Sequence, residues 1–163
     1  MSTTGGRLLR TGADSSGRSC VVEEQPLCAD GQREAGFRST LAYLTASVPV
    51  LGRAGRRATP LDLGLVPGGA HWVVVDYDPQ QDFPMHHTDT VDLDVVLRGS
   101  VELVLDDGAH LLETGDCAVV AGIDHAWRSG PDGCRLSVIS FGAGVDDNER
   151  HVDGSASEGM PHD

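Results

Sequence analysis

Two stretches of this sequence carry side chains that can move protons or bind a metal ion, and the first runs from Met85 to Gly99. Side chains alternate between the two faces of a strand, so every second residue of an extended segment shares a face. One face then carries an imidazole, two hydroxyls and two carboxyls, from His86, Thr88, Thr90, Asp92 and Asp94. Such a row faces either water or a polar cavity, and the cavity requires partners from elsewhere in the chain.

The second stretch, from Gly115 to Arg128, supplies such a partner. His125 follows a Gly-x-x turn, which places it at the start of a strand with Trp127 on the same face. Two imidazoles and a carboxylate around one cavity have the donors for general acid–base catalysis or for binding a divalent metal. Trp127 either walls the pocket or packs in the core, and Tyr77 and Trp72 leave the same two alternatives.

Together, the two stretches resemble the paired motifs of the cupin superfamily. The first motif (His, His, Glu, Gly) is matched in spacing by His86, Thr88, Asp92 and Gly99. The second (Gly, Pro, Gly, His, Asn) is matched by Gly115, Val120, Gly122, His125 and Ser129. More narrowly, His-His-Thr-Asp-Thr-Val-Asp and His-Ala-Trp-Arg are similar to a subgroup of small bacterial and fungal cupins. The resemblance covers residues 60–141 and implies an all-β jelly-roll barrel.

The resemblance also implies a metal site. In metal-binding cupins, the His and Glu residues of the first motif join the His of the second around one divalent ion. Carried over by position, His86, Asp92 and His125 would hold Fe, Mn, Ni or Zn, whereas Thr88 replaces the second His and Asp92 replaces the Glu. His87 is an alternative ligand, although in a strand it points away from its neighbour. Without metal, His125 and Asp92 are expected to form an acid–base pair.

The elements that position these residues are short strands. Between Pro60 and Phe141, apolar or alternating runs recur and are closed by turn residues, which is typical of an antiparallel sandwich or barrel. The predicted strands are 61–66, 72–77, 90–97, 101–105, 109–112, 117–120, 126–128 and 135–141. The segment 41–50 is predicted as a strand or a single helical turn. We expect an N-terminal arm over residues 1–40, with one short strand around 20–22, a barrel over 41–144 and a flexible, disordered acidic tail over 145–163.

Composition excludes several classes of function. The formal net charge is −13, which disfavours nucleic acid and anionic membranes as partners. All 12 bases are Arg, so lysine Schiff-base and P-loop chemistry are excluded, and no Gly-rich dinucleotide loop predicts a nucleotide cofactor. The four cysteines are expected to be reduced thiols, and no signal or spanning segment is evident, so the protein is expected in the cytoplasm. The sheet edges and the resemblance favour a homodimer.

These observations predict a small-molecule enzyme of cupin type. The resemblance suggests a tailoring enzyme of a natural-product (polyketide-like) pathway that dehydrates, cyclises, isomerises or oxygenates a carbonyl compound. The alternative is a cupin that binds a small ligand without catalysis. His86, Asp92 and His125 are the candidate catalytic residues, and the remaining histidines (His71, His110, His151 and His162) are expected at the surface. The candidate substrate-binding residues are Thr88, Thr90, Asp94, Trp127, Tyr77 and Trp72.

Overall fold

The computed structural model describes residues 5–27, 33–34 and 37–146 of this chain, and it is all-β. No helix capable of crossing a bilayer occurs in that part of the chain. The strands are β1 (Arg7–Ala13), β2 (Ser19–Pro26), β3 (Arg33–Glu34), β4 (Phe37–Arg38), β5 (Thr59–Pro60), β6 (Ala70–Tyr77), β7 (Asp82–His87), β8 (Thr90–Leu105), β9 (Gly108–Glu113), β10 (Cys117–Val120) and β11 (His125–Gly142).

Nine strands form one curled sheet around two long antiparallel strands, β8 and β11. The path runs β2-β1-β10-β8-β11-β7-β5, with β6 paired to β11 and β9 paired to β8. Because β8 and β11 pair with different partners at their two ends, they belong to both walls of the fold. The expected all-β jelly-roll fold is confirmed.

The bend in these long strands lies at a pair of glycines. Gly99 in β8 has a φ of 77° and Gly133 in β11 has a φ of 75°, a left-handed conformation that disfavours residues with a Cβ. A Cβ on Gly99 would also collide with the backbone carbonyl of Gly133. The predicted strands 90–97 and 126–128 end near these two glycines, at Arg98-Gly99 and between residues 128 and 135. The structure has bulges there, and both strands continue.

The N-terminal segment contributes to the main sheet. β1 pairs with β10 in parallel and with β2 in antiparallel orientation, and Leu8 and Leu9 are buried. Residues 7–26 are therefore part of the barrel, and the expected arm boundary at residue 40 does not separate them from it. Residues 28–32, which include Cys28, residues 35–36 and the tail residues 147–163, which include His151 and His162, lie outside the described residues.

Buried apolar side chains form the main core of the barrel. The main core cluster includes Leu9, Val101, Leu103, Leu112 and Leu136, all nearly inaccessible to solvent. Cys134 also lies in this cluster, and it is a free thiol like Cys20 and Cys117. On β8, the core residues Val96, Val101 and Leu103 follow Asp92 and Asp94 of the predicted site along the same strand.

Two connecting segments differ from their predicted form. Residues 61–66 are irregular, and the adjoining strand is only the two-residue β5. Residues 41–50 form neither a strand nor a helix, and Tyr43 and Val48 pack on the outer face of the sheet. Both segments lie against side chains of the sheet and make few backbone hydrogen bonds of their own. The apolar residues of these segments therefore predicted regular secondary structure that neither segment forms.

Candidate functional site

The open half of the barrel contains a cavity of about 300 Å³. Three neighbouring strands, β6, β11 and β8, form one wall, and β7 and the segment 61–63 complete it. The polar side chains that line the cavity are His71, Tyr77, His86, Thr88, Asp92, Asp94, His125 and Ser140. The rest of the lining is apolar or aromatic, as is typical of small-molecule sites.

His86 and His125 face each other across the pairing of β7 with β11. Their ring centroids are 4.3 Å apart. His86 Nδ1 lies 2.9 Å from the Pro84 carbonyl oxygen, and His125 Nδ1 lies 2.8 Å from that of Ile123. A carbonyl oxygen only accepts, so each Nδ1 is the protonated nitrogen and each Nε2 keeps its lone pair free.

Burial sets the charge state of His125, whose side chain is only 2% exposed. Desolvation, with the neighbouring His86, lowers the pKa of His125 to about 4. The imidazole is therefore neutral at pH 7 and its Nε2 is available as a proton acceptor. The indole of Trp127 lies edge-on to this ring, with centroids 6.0 Å apart, so Trp127 both packs in the core cluster and walls the cavity.

Asp92 lines the same cavity as His86 and His125, and its carboxyl is held in place by hydrogen bonding. The Thr90 hydroxyl donates to Asp92 Oδ1 at 2.8 Å and is also 2.8 Å from the Thr88 hydroxyl. Burial raises the pKa of the Asp92 carboxyl, against hydrogen bonds and nearby imidazoles that lower it. The pKa values of Asp92 and His125 are thus shifted in opposite directions by the same cause, because burial disfavours the charged form of each group.

Asp94 lies deeper in the same cavity and is 3% exposed. Its Oδ2 has no hydrogen-bond partner among the described residues. Burial, together with the neighbouring Asp92, raises the pKa of Asp94 well above its ordinary value. Tyr77 lines the cavity as well, and burial with the nearby Asp94 raises the pKa of its phenol to about 12.

His87, next to His86 in the chain, faces the opposite side of β7. Its Nδ1 is 3.1 Å from Asp124 Oδ1, and the Asp124 carboxylate also accepts from the backbone N–H groups of Arg57 and Ala58 at 2.6 and 3.0 Å. Arg56, nearby, donates to the carbonyls of Thr88 and Gly122 and pairs with Asp89. We call Arg56, His87, Asp89 and Asp124 the loop anchor, because they fix the segment 53–58. His87 does not line the cavity.

The structure brings most of the predicted site residues together. All three candidate catalytic residues line one cavity, with Thr88, Asp94, Trp127 and Tyr77 of the substrate-binding candidates. Thr90 is buried behind this lining, where it supports Asp92. Trp72 does not line the cavity. It faces outward with 71% of its surface exposed, and its indole N–H donates to the Ser137 hydroxyl at 2.7 Å.

Sequence reasoning missed His71. It was expected at the surface, but it stands on β6 opposite Ser140, which in turn pairs with Asp92, and it lines the cavity. The expectation is wrong because the turn at Gly68-Gly69 ends just before His71 and β6 begins at Ala70. The alternation along β6 could have predicted this position, because His71 lies on the same face as Val73, Val75 and Tyr77.

The same geometry tests whether these residues fit a metal. Two imidazole nitrogens are available as ligands. Within the described part of the chain, however, no three His, Cys, Asp or Glu side chains come close enough together to hold an ion. The described residues therefore do not form the expected three-ligand metal site.

Comparison with known proteins gives a consistent picture. A family model described as the AraC-like ligand binding domain matches residues 72–150. Phomopsin biosynthesis cluster protein C' of Diaporthe leptostromiformis is 36% identical over 129 residues, which cover 73% of this chain and 68% of that protein. The cupin-domain-containing oxidoreductase fogC of Aspergillus ruber is 28% identical over 157 residues, covering 91% of this chain and 76% of that protein.

The fold, the paired motifs and these relatives together define a class. The chain belongs to the cupin superfamily, and the resemblance found in the sequence is confirmed.

Proposed function

We propose that this protein is a cupin of secondary metabolism that transforms a small carbonyl compound by acid–base chemistry. The observation that carries the proposal is the pair of free imidazole nitrogens of His86 and His125 beside the Asp92 carboxyl in one small cavity. The relatives named for biosynthesis clusters and cupin-domain oxidoreductases support the metabolic setting. The cavity size supports a small-molecule substrate.

The proposed reaction begins with proton transfer at the carbon next to a carbonyl. His125 Nε2 takes the proton from that carbon, because the imidazole is neutral and its other nitrogen is committed to the Ile123 carbonyl. The Asp92 carboxyl, whose pKa is raised by burial, donates a proton to the carbonyl oxygen as the enol forms. Transfer of the proton from His125 to another carbon isomerises the compound, and its transfer to a neighbouring hydroxyl, which leaves as water, dehydrates it. In both cases the enol proton returns to Asp92.

Trp127 and the apolar residues of the lining surround the reacting groups. Proton transfer by positioned groups typically contributes a factor of about 10² to 10⁴ in rate. The same cavity would serve a binding protein equally well if the two groups did not exchange protons with the ligand. The match to a ligand-binding domain model favours this as the second candidate function.

Deuterium exchange separates the two candidates. Acetophenone is incubated with the protein in D₂O, and loss of the methyl proton signal is followed by NMR. Wild type is expected to accelerate exchange by at least about 10²-fold. His125→Ala and Asp92→Asn are each expected to abolish the acceleration while acetophenone still binds. His110→Ala, which alters an exposed imidazole paired with Asp107, is the matched control.

The outcomes assign the function. If acetophenone binds and no exchange occurs in wild type, the protein is a binding module. If His110→Ala slows exchange as much as His125→Ala does, the cavity is not the site of proton transfer. Metal content, measured by elemental analysis of protein purified without an affinity tag, tests the predicted Fe, Mn, Ni or Zn separately. Cytoplasmic location and homodimer formation stay predictions, the second checked by light scattering.

A further inference from the structure

The cavity contains two layers of side chains with different polarity. In the upper layer, Ser140 of β11 pairs with His71 on one side and Asp92 on the other. In the next layer down, Val138 pairs with Val73 and Asp94. Asp94 is thus the polar member of a layer that is otherwise apolar.

One oxygen in this lower layer is left without a partner. Asp94 Oδ2 is buried and accepts or donates no hydrogen bond among the described residues. A buried polar group that lacks a partner costs free energy, so such groups are rare in folded proteins. Asp94 lines the cavity, and its Oδ2 has almost no solvent-accessible surface, so a ligand group that pairs with this oxygen must displace the cavity lining next to it.

We propose that Asp94 binds a hydroxyl group of the ligand at the floor of the cavity. A hydroxyl both donates and accepts, so it satisfies Oδ2 whether or not the carboxyl carries its proton. The inference rests on the proposed function only in taking the same molecule as the ligand. It adds a position for a second oxygen of the substrate, away from the reacting carbonyl.

The walls between the two polar layers define the body of that ligand. Val73, Val75, Leu136 and Val138 are apolar and line the cavity from two neighbouring strands. Residues two apart on a strand are about 6.8 Å apart, which sets the separation of Asp92 and Asp94 along β8. The ligand is therefore a small, largely apolar ring compound with a carbonyl at one end and a hydroxyl at the other.

Two probe compounds that differ by one hydroxyl test whether Asp94 binds a ligand hydroxyl. Acetophenone carries the carbonyl alone, and 4-hydroxyacetophenone adds a hydroxyl at the opposite end of the ring. Dissociation constants are measured by isothermal titration calorimetry. Wild type is expected to bind the hydroxylated compound about tenfold more tightly, the usual value of one hydrogen bond in a dry site.

Variants of Asp94 test whether this residue causes the preference for the hydroxylated compound. Asp94→Leu is expected to remove the tenfold difference and leave acetophenone binding within about threefold, since the hydroxyl loses its partner. Asp94→Ala is a second apolar variant in case leucine does not fit. Asp94→Asn, which keeps a donor and an acceptor, is expected to keep most of the preference. Asp76→Asn, on the outer face of β6 beside Arg135, is the matched control.

Each result has one meaning. The inference is overturned if wild type shows no preference, if it binds neither probe, or if both apolar variants keep the preference. Failure of the proposed function looks different, because deuterium exchange is then absent while the preference and its loss in Asp94→Leu persist. Conversely, exchange that persists with no hydroxyl preference leaves the proposed function standing and removes the role of Asp94.

Discussion

His86 and His87 are neighbours in the chain, yet they belong to two buried polar clusters of opposite design. His87 joins the loop anchor, where the Asp124 carboxylate accepts from the imidazole and from two backbone N–H groups. His86 joins the cavity cluster, where Nε2 is free and Asp94 Oδ2 has no partner among the described residues. His86, His87, Asp94 and Asp124 are all buried, so the difference lies in how completely their hydrogen bonds are made.

That difference separates structural from functional polar groups. A buried network whose members are all paired rigidifies the fold, whereas unpaired members are costly and need another reason to be present. The loop anchor fits the first description because it fixes residues 53–58 against β7 and the start of β11. The cavity cluster fits the second. Breaking the loop anchor should therefore lower the free energy of unfolding, whereas removing the unpaired carboxyl of the cavity cluster should raise it.

The largest effect is expected from Asp124→Ala. Removing one partner of a buried, hydrogen-bonded pair leaves the other groups unpaired and costs about 3–5 kcal/mol. The midpoint of thermal unfolding, followed by circular dichroism, should fall by about 10 °C. Asp82→Ala, which breaks an exposed pair with Arg128, is the control and should cost under about 1 kcal/mol. Equal losses in the two variants would contradict the role of the loop anchor.

The pH dependence of stability tests the neutral state of His125. Its pKa is about 4 in the folded protein and 6.5 ordinarily, so the unfolded chain takes up this proton first as the pH falls. Stability should therefore drop between pH 6.5 and 4, by at most about 3 kcal/mol. Urea unfolding of chelator-dialysed protein measures this, and His125→Gln should remove that part of the drop. Identical pH profiles in both proteins would show that His125 is not held neutral.

Asp94→Leu should act in the opposite direction and stabilise the empty protein. Replacing an unpaired buried carboxyl by an apolar side chain of similar size is expected to gain about 1–3 kcal/mol at pH 7. Because the pKa of Asp94 is raised in the folded protein, wild type loses stability as the pH rises above 3.8. The gain should therefore be larger at pH 7 than at pH 4 in urea unfolding. A destabilised variant would mean that Asp94 has a structural partner.

Trp72→Phe is expected to have the smallest effect. The indole is mostly exposed and belongs to neither cluster, so its loss should change the free energy of unfolding by under about 0.5 kcal/mol. Binding of acetophenone, measured by calorimetry, should be unchanged. A loss of binding in this variant would place Trp72 in the site after all and would extend the cavity beyond β6.

Alternation along the chain predicted much of the site. His86, Asp92 and Asp94 were assigned to one face from parity alone, and the structure places all three on the cavity. His71 was missed because its place depends on β6 pairing with residues more than 60 positions away, which no local pattern reports. Gly99 was read as a turn because a glycine that bends a strand and one that ends it leave the same signal in sequence.

The hydrogen-bond content of the two clusters was beyond the sequence. Alternation separates His86 from its neighbour His87, but it does not predict which hydrogen bonds His86, His87, Asp94 or Asp124 makes. The fold class followed from strand spacing and motifs. Sequence could not predict the unpaired oxygens of Asp94 and Ser140, because they depend on which partners are absent near them among the described residues.

The strands that form the cavity walls influence how the substrate preference of such a site can evolve. Asp92 and Asp94 stand on β8, whose continuation builds the hydrophobic core, so mutations there are constrained by folding. His71 and Val73 stand on β6, whose one partner among the described strands is β11, and Leu61 lies on an irregular segment. New substrate preferences can therefore evolve on the margin of the barrel at little thermodynamic cost, while the reacting groups are inherited intact.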